Sequence, residues 1–429
     1  MEAEYVGELL WHRHGGNTKI SLLLPSEARR EGQKRGGAPL YFGEIIVHPV
    51  ASAQKLDVVY RQPIFIRWQT DHYVCGPIMA ILAGFESGSF SGSRANYRDI
   101  MRVAADEGKF IYVIAPDNVV SGNVWKGHVR IGYQKWISVP CPRPDAVYNR
   151  VPTRNAERSQ AVVAAKRSLK AYGIPLFNPD YFNKKVIYDV LERSQADVYL
   201  PATSKLSDAK SLDVMLRTNS ILYLKPTGGS IGHGILRVDA LGSNRYRLSV
   251  LKNHACTTYK AENLRGLWSL IRQHRLPGEY VIQAGKSLIE FKGSPCDFRV
   301  LTQKNRDQWE VVGIGVRVSG PETITTHVPG GGYIASADTV LARTFGDRAR
   351  EIEQEMRQMI RTCAQAIDAH YRGELGEMSM DIGLDKSGRL WFFEANAKPM
   401  KFDEPDIRSK SIQGVLRRLE QISRRNRMS

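Results

Sequence analysis

Two carboxylates and one amide lie on neighbouring segments at a spacing that could bind a divalent cation. Asp381 belongs to the segment Met378–Leu384, and Glu394 and Asn396 belong to Trp391–Pro399. The sequence Asp-Lys-Ser-Gly between the two segments has a turn composition, so the pattern predicts a β-hairpin. Folding the hairpin brings Asp381 opposite Glu394 or one diagonal step away. Hard oxygen ligands in this number favour Mg²⁺, which takes one or two carboxylates together with substrate phosphates.

The hairpin has a simpler alternative interpretation as an exposed turn with a few solvated acids. Alternation along a strand predicts that Glu394 and Asn396 share one face. The opposite face would then carry Trp391, Phe393 and Ala395. The hairpin alone leaves both interpretations open.

A glycine-rich segment gives a second chemical signal. Ile221–Leu224 has the pattern of a strand that continues to Lys225, and Pro226 ends the ladder because it has no N–H to donate. Glycines let backbone N–H groups converge on an anion, so the loop predicts phosphate binding with Lys225 beside it. A flexible hairpin turn is the alternative. The loop residues are Gly228, Gly229, Ser230, Gly232 and Gly234.

Composition limits the class of protein that positions these residues. The 429-residue chain is 42% hydrophobic, which is enough to form globular cores. No apolar run approaches the roughly 20 residues of a membrane helix, and the acidic N-terminus does not fit a signal peptide. We therefore expect a cytoplasmic protein without a membrane span. Five scattered cysteines without Cys-x-x-Cys spacing predict reduced thiols, and they argue against a zinc site or a disulfide framework.

The net charge of +17 favours polyanionic partners such as nucleotide phosphates, nucleic acid or an acidic polymer. No helix-turn-helix, zinc-finger or RNP pattern is present, so we do not expect a nucleic-acid partner. A solvated basic surface with a frayed basic tail is the simpler explanation for most of these residues. The local excess near the C-terminus consists of Arg408, Lys410, Arg417, Arg418, Arg424, Arg425 and Arg427.

Three regions follow along the chain. The sequence of residues 1–72 predicts a β-rich module with a mobile loop at Glu27–Gly37. Residues 73–147 predict a small Rossmann-like α/β domain, because strand, helix and strand patterns occupy Gly76–Ala83, Tyr97–Glu107 and Phe110–Ile114. That domain lacks a Gly-x-Gly-x-x-Gly turn, so dinucleotide binding is not supported. The module's predicted strands are Lys19–Leu24, Tyr41–Val47 and Pro63–Trp68.

The sequence of residues 148–429 predicts an α+β domain that ends in a basic helix or tail. The predicted helices are 157–172, 186–194, 207–217, 261–274, 347–371 and 407–424. The predicted strands, besides the hairpin, are 221–224, 234–238, 246–251, 280–283, 298–304 and 309–318.

The ordered set of segments resembles the YheC/YheD family of endospore-coat-associated ATP-grasp proteins over about residues 74–410. No single segment is specific, and the resemblance lies in their order. The resemblance implies an α+β ATP-grasp fold in which two lobes clamp a nucleotide, with a mobile lobe at about residues 185–283. The matching segments are Tyr148–Arg154, Tyr181–Lys185, Leu200–Thr203, the Lys225 loop, Val281–Gln283, Pro295–Val300, Gly313–Val318, Pro329–Gly332 and the Asp381 hairpin.

The same resemblance implies the residue roles. Lys184, or alternatively Lys185, and Lys225 would hold the α- and β-phosphates of ATP. Gln283 would lie at the interlobe hinge near adenine. The loop that closes over the phosphates would contain Gly229, Ser230 and Gly232.

The metal and catalytic residues are implied in the same way. Asp381, Glu394 and Asn396 would bind two Mg²⁺ ions. Arg299 and Arg317 would face the γ-phosphate and the acyl substrate. An ion pair between Arg299 and its strand neighbour Asp297, or a solvated Arg317, is the structural alternative.

The implied activity is an ATP- and Mg²⁺-dependent carboxylate–amine ligase that forms an amide-like bond through an acylphosphate. The alternative is a non-catalytic nucleotide-binding protein that assembles the spore coat. The implied partners are ATP, an unidentified carboxylate, an amine and spore-coat proteins, and the implied location is the forespore or spore coat. Three residues depart from the family pattern: Asn183, His233 and Ala397 stand where Asp, a basic residue and Ser are usual.

Overall fold

The computed structural model describes residues 4–34, 38–69, 71–86, 88–132, 135–227, 234–252, 255–320 and 332–428. The chain forms two compact units. Unit 1 contains Met1–Asp180, Lys304–Asp307 and Arg408–Ser429, and unit 2 contains Tyr181–Gln303 and Gln308–Ile407. The boundaries at residues 72 and 147 and the mobile lobe at 185–283 remain predictions.

Unit 1 is rich in strands. Its first helices are α1 (Ser26–Lys34), α2 (Arg94–Asp106), α3 (Arg154–Glu157) and α4 (Gln160–Ala171). Its strands are β1 (Glu4–His14), β2 (Asn17–Leu23), β3 (Leu40–Phe42), β4 (Ile45–Ile46), β5 (His48–Val50), β6 (Asp57–Gln69), β7 (His72–Cys75), β8 (Ile78–Leu82), β9 (Gly84–Glu86), β10 (Ser89–Ser91), β11 (Phe110–Ile114), β12 (Val124–Ile131), β13 (Lys135–Pro142), β14 (Ala146–Asn149) and β15 (Leu176–Phe177).

The N-terminal part of unit 1 is a seven-stranded sheet in the order β4-β3-β7-β6-β1-β2-β5. The predicted mobile loop at Glu27–Gly37 was wrong over most of its length, because α1 occupies Ser26–Lys34. Residues 35–37 lie outside the described residues. The buried side chain of Ala28 gives this short helix an apolar contact that its charged composition concealed.

The βαβ unit predicted at residues 76–114 is confirmed. Strands β8 and β11 pair in parallel on either side of α2, within a six-stranded sheet in the order β13-β12-β11-β8-β14-β15. All five residues of β8 and of β11 are buried, as expected for parallel strands covered on both faces. The antiparallel pair β12–β13, which the sequence analysis did not identify, extends this sheet at one edge.

Unit 2 contains two sheets with helices packed on them. Its helices are α5 (Lys184–Glu192), α6 (Ala209–Leu216), α7 (Leu264–His274), α8 (Ala337–Phe345) and α9 (Ala349–His370). Its strands are β16 (Thr203–Lys205), β17 (Ile221–Pro226), β18 (Leu236–Gly242), β19 (Arg245–Lys252), β20 (Ala255–Ala261), β21 (Tyr280–Ala284), β22 (Glu290–Phe291), β23 (Ser294–Asn305), β24 (Gln308–Val318), β25 (Tyr333–Ser336), β26 (Glu377–Leu384) and β27 (Leu390–Asn396).

The two sheets of unit 2 have separate cores. One sheet has the order β16-β21-β17-β18-β19-β20, and Leu222 and Leu224 of β17 belong to its core. The other has the order β25-β24-β23-β26-β27, with β22 paired to β23. In β26, Met378, Met380 and Ile382 lie in the second core. Alternation therefore directs Ser379, Asp381 and Gly383 to the other face.

The last helix, α10 (Pro405–Met428), completes the core of unit 1. Its basic residues include Arg418, which is buried and donates to the carbonyl of Arg306 at 3.3 Å. Gln421 accepts a hydrogen bond from the Arg306 amide at 2.8 Å. This part of the predicted basic tail is therefore packed, not frayed. The α10 residues in the core are Ile412, Val415, Leu416, Leu419 and Ile422.

None of the helices in the described part of the chain combines the length and the apolar composition needed to cross a membrane.

Candidate functional site

The predicted carboxylate hairpin is confirmed. Strands β26 and β27 pair antiparallel, and Asp381 lies directly opposite Glu394. Ser379 lies opposite Asn396 one step along the same face. The turn between the strands is held by Asp385, whose carboxylate accepts from the amides of Ser387 and Arg389, both at 3.0 Å.

A β-bulge changes the predicted alternation of β27. Asp381 pairs with Glu394, but the next residue, Ile382, pairs with Phe392, so Phe393 is the extra residue. Phe392 is buried in the core, whereas Phe393 lines the same cavities as Glu394. The prediction that Phe393 faces away from Glu394 was therefore wrong. The bulge supplies an apolar wall beside the carboxylates.

A buried ion triad fixes Asp381 from one side. Arg317 of β24 contacts Asp297 through Nε at 2.9 Å and Nη2 at 2.6 Å, and its Nη2 contacts Asp381 at 2.9 Å. Only 3% of Arg317 is exposed. Burial acts to lower the pKa of Arg317, but the charges of Asp381 and Asp297 outweigh it and raise the pKa above its usual value. The guanidinium stays charged and bridges two carboxylates of neighbouring strands.

Lys184 holds the other carboxylate. Its Nζ lies 2.9 Å from Oε2 of Glu394, and both side chains are about a quarter exposed. Asn183 caps α5, because its side chain accepts from the amides of Lys185 and Val186. Lys184 is thus the first residue of a capped helix. Lys185 points instead to Asp189 at 2.8 Å, so of the two alternatives only Lys184 reaches the hairpin.

Lys225 and Gln283 meet on the other sheet. Lys225 Nζ donates to Gln283 Oε1 at 2.5 Å, and Gln283 Nε2 donates to the hydroxyl of Tyr188 at 2.5 Å. Burial lowers the pKa of Lys225 to about 8, and the positive charge of Lys184 contributes to the decrease. The carboxylate of Glu394 opposes it.

Two cavities of unit 2 share these residues. A first cavity of about 440 Å³ is lined by Lys184, Tyr188 and Thr203, and a second of about 340 Å³ is lined by Arg317, Asp381 and Tyr223. The shared wall consists of Lys225, Gln283, Phe393 and Glu394. The cavity linings include the cations Lys184, Lys225 and Arg317 and the carboxylates Asp297, Asp381 and Glu394, and each cavity is large enough for a small polyanion.

The side-chain oxygens of this region are of the kind that Mg²⁺ prefers. Within the described ranges no group of three or more His, Cys, Asp or Glu side chains could hold a metal ion by itself. Asp381 and Glu394 supply two carboxylates and Asn396 supplies an amide oxygen on the same face. Such a set is incomplete without oxygens from a substrate, which is the usual manner in which proteins bind Mg²⁺ with phosphates.

The remaining predicted residues have different positions. Gly229, Ser230 and Gly232 lie outside the described residues. Arg299 lies in register with Asp381 on β23, but its guanidinium stacks 5.3 Å from the ring of Phe402. Arg299 does not line either of the two cavities formed by described residues. Its suggested ion pair with Asp297 is not formed among the described contacts, since Asp297 pairs with Arg317.

Sequence reasoning missed three residues of this region. Tyr188 lies four residues after Lys184 on α5, and this spacing on one helical face could have indicated it. Asp297 lies on β23 beside Arg317 of the paired strand β24, a pairing that needs the sheet order. Phe393 could not have been assigned, because its direction depends on the bulge.

The sequence profile described as YheC/D-like ATP-grasp matches residues 173–422. The chain is 29% identical over 367 residues to the endospore coat-associated protein YheD of Bacillus subtilis (strain 168), covering 81% of this chain and 78% of YheD. It is 24% identical over 272 residues to the endospore coat-associated protein YheC of the same strain, covering 62% of this chain and 73% of YheC.

Among solved structures, D-alanyl-alanine synthetase A from Vibrio cholerae O1 biovar eltor str. N16961 has a TM-score of 0.47 and 12% identity, covering 81% of this chain and 98% of that chain. The family profile spans more than half of the present sequence, including the hairpin, Lys184, Lys225 and Arg317. The chain therefore belongs to the YheC/D-like ATP-grasp family and has the α+β ATP-grasp fold.

Proposed function

We propose that this protein is an ATP- and Mg²⁺-dependent carboxylate–amine ligase. The observation that carries the proposal is the shared wall of the two cavities, where Lys225, Gln283 and Glu394 meet Lys184 and Asp381. Cations for phosphates and oxygens for Mg²⁺ are both needed to bring ATP and a carboxylate together, because both are anionic.

The reaction would proceed in two displacements. A carboxylate oxygen of the substrate attacks the γ-phosphorus, the bond to ADP breaks, and an acylphosphate forms. An amine nitrogen then attacks the acyl carbon, phosphate leaves and the amine loses a proton. Lys184 and Lys225 would bind the α- and β-phosphates. Bound Mg²⁺, in our proposal two ions, would neutralise the charge that develops on the phosphate oxygens.

Asp381 and Glu394, with Asn396, would hold the metal. Before substrate binds, Arg317 and Lys184 neutralise the two carboxylates at 2.9 Å each. This pairing lowers the cost of keeping the acids close together. Entry of the triphosphate would give Lys184 a second anionic partner, so Glu394 could turn to the metal without leaving an unpaired charge.

The decisive test is calorimetric binding of ATP with and without Mg²⁺ to the wild type and to Glu394→Gln. Loss of a hydrogen-bonded charge at the metal should weaken Mg²⁺-dependent ATP binding by at least about ten-fold. Glu355→Gln is the matched control, because Glu355 is an exposed carboxylate on α9. Phosphate release should then be screened with mixtures of carboxylates and amines. Equal Mg²⁺-dependent affinity in Glu394→Gln would contradict the proposed metal site.

A second candidate is a nucleotide-binding protein that acts in the spore coat without catalysis. The observation in its favour is that both curated relatives, YheD and YheC, are named as endospore coat-associated proteins. Under this proposal ATP binds but no phosphate is released, even when extracts of spore envelopes supply acyl and amine groups. Its partners would be coat proteins and its location the forespore or coat.

A further inference from the structure

We infer that Tyr188 is a positioning residue that fixes the direction of the Gln283 amide and, through it, the ammonium of Lys225. The inference rests on the proposed nucleotide site. It concerns a helix residue that touches neither the metal carboxylates nor, in our proposal, the phosphates. Tyr188 contacts Gln283 and the backbone of β27.

The hydrogen-bond chain has a single direction. In its charged form Lys225 can only donate, so the atom of Gln283 that faces it must be the amide oxygen. The amide nitrogen then faces Tyr188 and must find an acceptor there. The tyrosine oxygen accepts, so its own proton is directed to the carbonyls of Phe393 at 3.1 Å and Phe392 at 3.2 Å. Those carbonyls accept only, which ends the chain.

Few other groups near Gln283 can take the place of the tyrosine oxygen. Thr203 Oγ1 lies 3.5 Å from Gln283 Nε2, at the limit of a hydrogen bond, and it already donates to the Pro201 carbonyl. Gln283 is 97% buried, so water has poor access to its amide. Without the Tyr188 hydroxyl, the buried amide nitrogen loses its good acceptor, and the amide gains from rotating toward other partners.

The same chain links three elements that meet at the shared wall of the cavities. Tyr188 lies one helical turn after Lys184 on α5, Gln283 lies on β21, and Phe393 directly precedes Glu394 on β27. The hydroxyl therefore holds the bulge residue and the strand that carries Glu394, while Gln283 holds Lys225. One side chain sets the spacing between a phosphate-binding lysine and a metal-binding carboxylate.

Tyr188→Phe is the test, because it removes one oxygen and retains the ring that packs on Phe392. Loss of this chain of hydrogen bonds should weaken Mg²⁺-ATP affinity roughly ten-fold. Tyr199→Phe is the matched control, since Tyr199 is partly buried in the same unit but lines a separate surface cavity. Thermal unfolding of both variants shows whether each remains folded, and Gln283→Leu provides a second variant if Tyr188→Phe does not.

The pH profile separates positioning from a merely structural role. Lys225 attracts phosphate only while protonated, so wild-type affinity should decrease as the pH rises through about 8. A correctly directed amide oxygen stabilises the ammonium, so in Tyr188→Phe the decrease should begin about one pH unit lower. In a double-mutant cycle, the loss of Mg²⁺-ATP binding free energy in the variant with both Tyr188→Phe and Gln283→Leu should be smaller than the sum of the two separate losses.

The outcomes are distinct. A wild-type protein that does not bind Mg²⁺-ATP contradicts the proposed function and the inference with it. Wild-type binding together with an unchanged affinity and pH profile in folded Tyr188→Phe overturns the inference alone. A uniform loss in both Tyr188→Phe and Tyr199→Phe also overturns it, because the effect would not then pass through Gln283.

Discussion

Lys225 occupies a buried position that disfavours the charged form of its side chain. Its pKa is lowered from 10.5 to about 8, mainly by burial. A lysine whose folded-state pKa is below its unfolded value opposes folding most strongly below that folded pKa. The opposition is removed as the pH rises from about 8 toward the unfolded value. In the proposed function, this loss of stability accompanies a cation that binds phosphate.

Lys225→Met should therefore unfold at higher urea concentration than the wild type at pH 7. The two proteins should converge as the pH rises through 8 toward 10.5, because the wild-type lysine then folds in its neutral form. Urea unfolding at pH 7 and pH 9.5 measures the difference. A variant less stable than the wild type at pH 7 would contradict this account of the site.

Arg317 presents the opposite case, since its charge is fully paired. Arg317→Met would remove the guanidinium that bridges the buried carboxylates of Asp297 and Asp381, at a cost of about 3–5 kcal/mol. Arg299→Met is the control and removes a cation stacked on Phe402, worth about 0.5–1 kcal/mol. Urea unfolding of both variants compares the two costs. Similar losses would mean that the triad is not held as a unit.

At the scale of elements, the bulge in β27 depends on an absent side chain in the facing strand. A Cβ added at Gly383 would lie 2.3 Å from the Phe393 ring and 3.0 Å from Leu288. Gly383 therefore leaves the space into which the bulge residue turns. Strand β27 supplies the wall residue Phe393, and Gly383 of the paired strand β26 leaves room for its ring.

Gly383→Ala should destabilise the hairpin and weaken Mg²⁺-ATP binding, because Phe393 must move away from Glu394. Gly266→Ala is the control, since a Cβ there meets only ordinary contacts of 3.5 and 3.8 Å. Gly266 lies inside α7, so this change should stabilise the protein by up to about 1 kcal/mol. Thermal unfolding and ATP calorimetry on both variants measure the contrast. Unchanged nucleotide affinity in Gly383→Ala would argue against a role for the bulge.

Local sequence patterns predicted the elements with strong periodicity and the residues within them. The Asp381–Glu394 pairing followed from two alternating segments and a turn composition, and β8–α2–β11 followed from two apolar runs and a helical period. Helix α1 was missed because its sequence is mostly charged, and among its residues whose burial is described Ala28 is the one that lies in the core. The role of Arg317 toward substrate is implied by the family resemblance and stays a prediction, whereas its ion triad with Asp297 and Asp381 was not predicted, because these residues become neighbours only through the order of β24, β23 and β26. Long-range register, which local composition does not encode, accounts for these differences.

At the scale of the whole molecule, the core of unit 1 depends on a helix far away in sequence. Leu416 and Leu419 of α10 are almost completely buried in that core. An ion pair between Glu420 and Lys109, which also contacts Glu107, attaches the same helix to the central sheet region. The candidate site belongs entirely to unit 2.

Leu416→Ala should therefore cost about 2–5 kcal/mol of unit 1 stability. Mg²⁺-ATP affinity should stay at the wild-type value, because no residue of the proposed site is altered. Gln413→Ala, an exposed position on the same helix, is the control. Calorimetric unfolding with and without nucleotide distinguishes the unfolding transition of unit 1 from that of unit 2. A loss of affinity equal to that of Glu394→Gln would contradict this independence.

The route of the chain has a consequence for biosynthesis. Residues 181–407 are translated between the first 180 residues of unit 1 and the helix that completes its core. At about 5–20 residues per second, the nascent unit 1 would wait ~10–50 s on the ribosome with an unfilled groove. Unit 2 is contiguous except for the hairpin tip at residues 304–307, and it can finish first. The part of the protein that emerges first is thus the last to mature, and a chaperone that shields apolar grooves would find its substrate there.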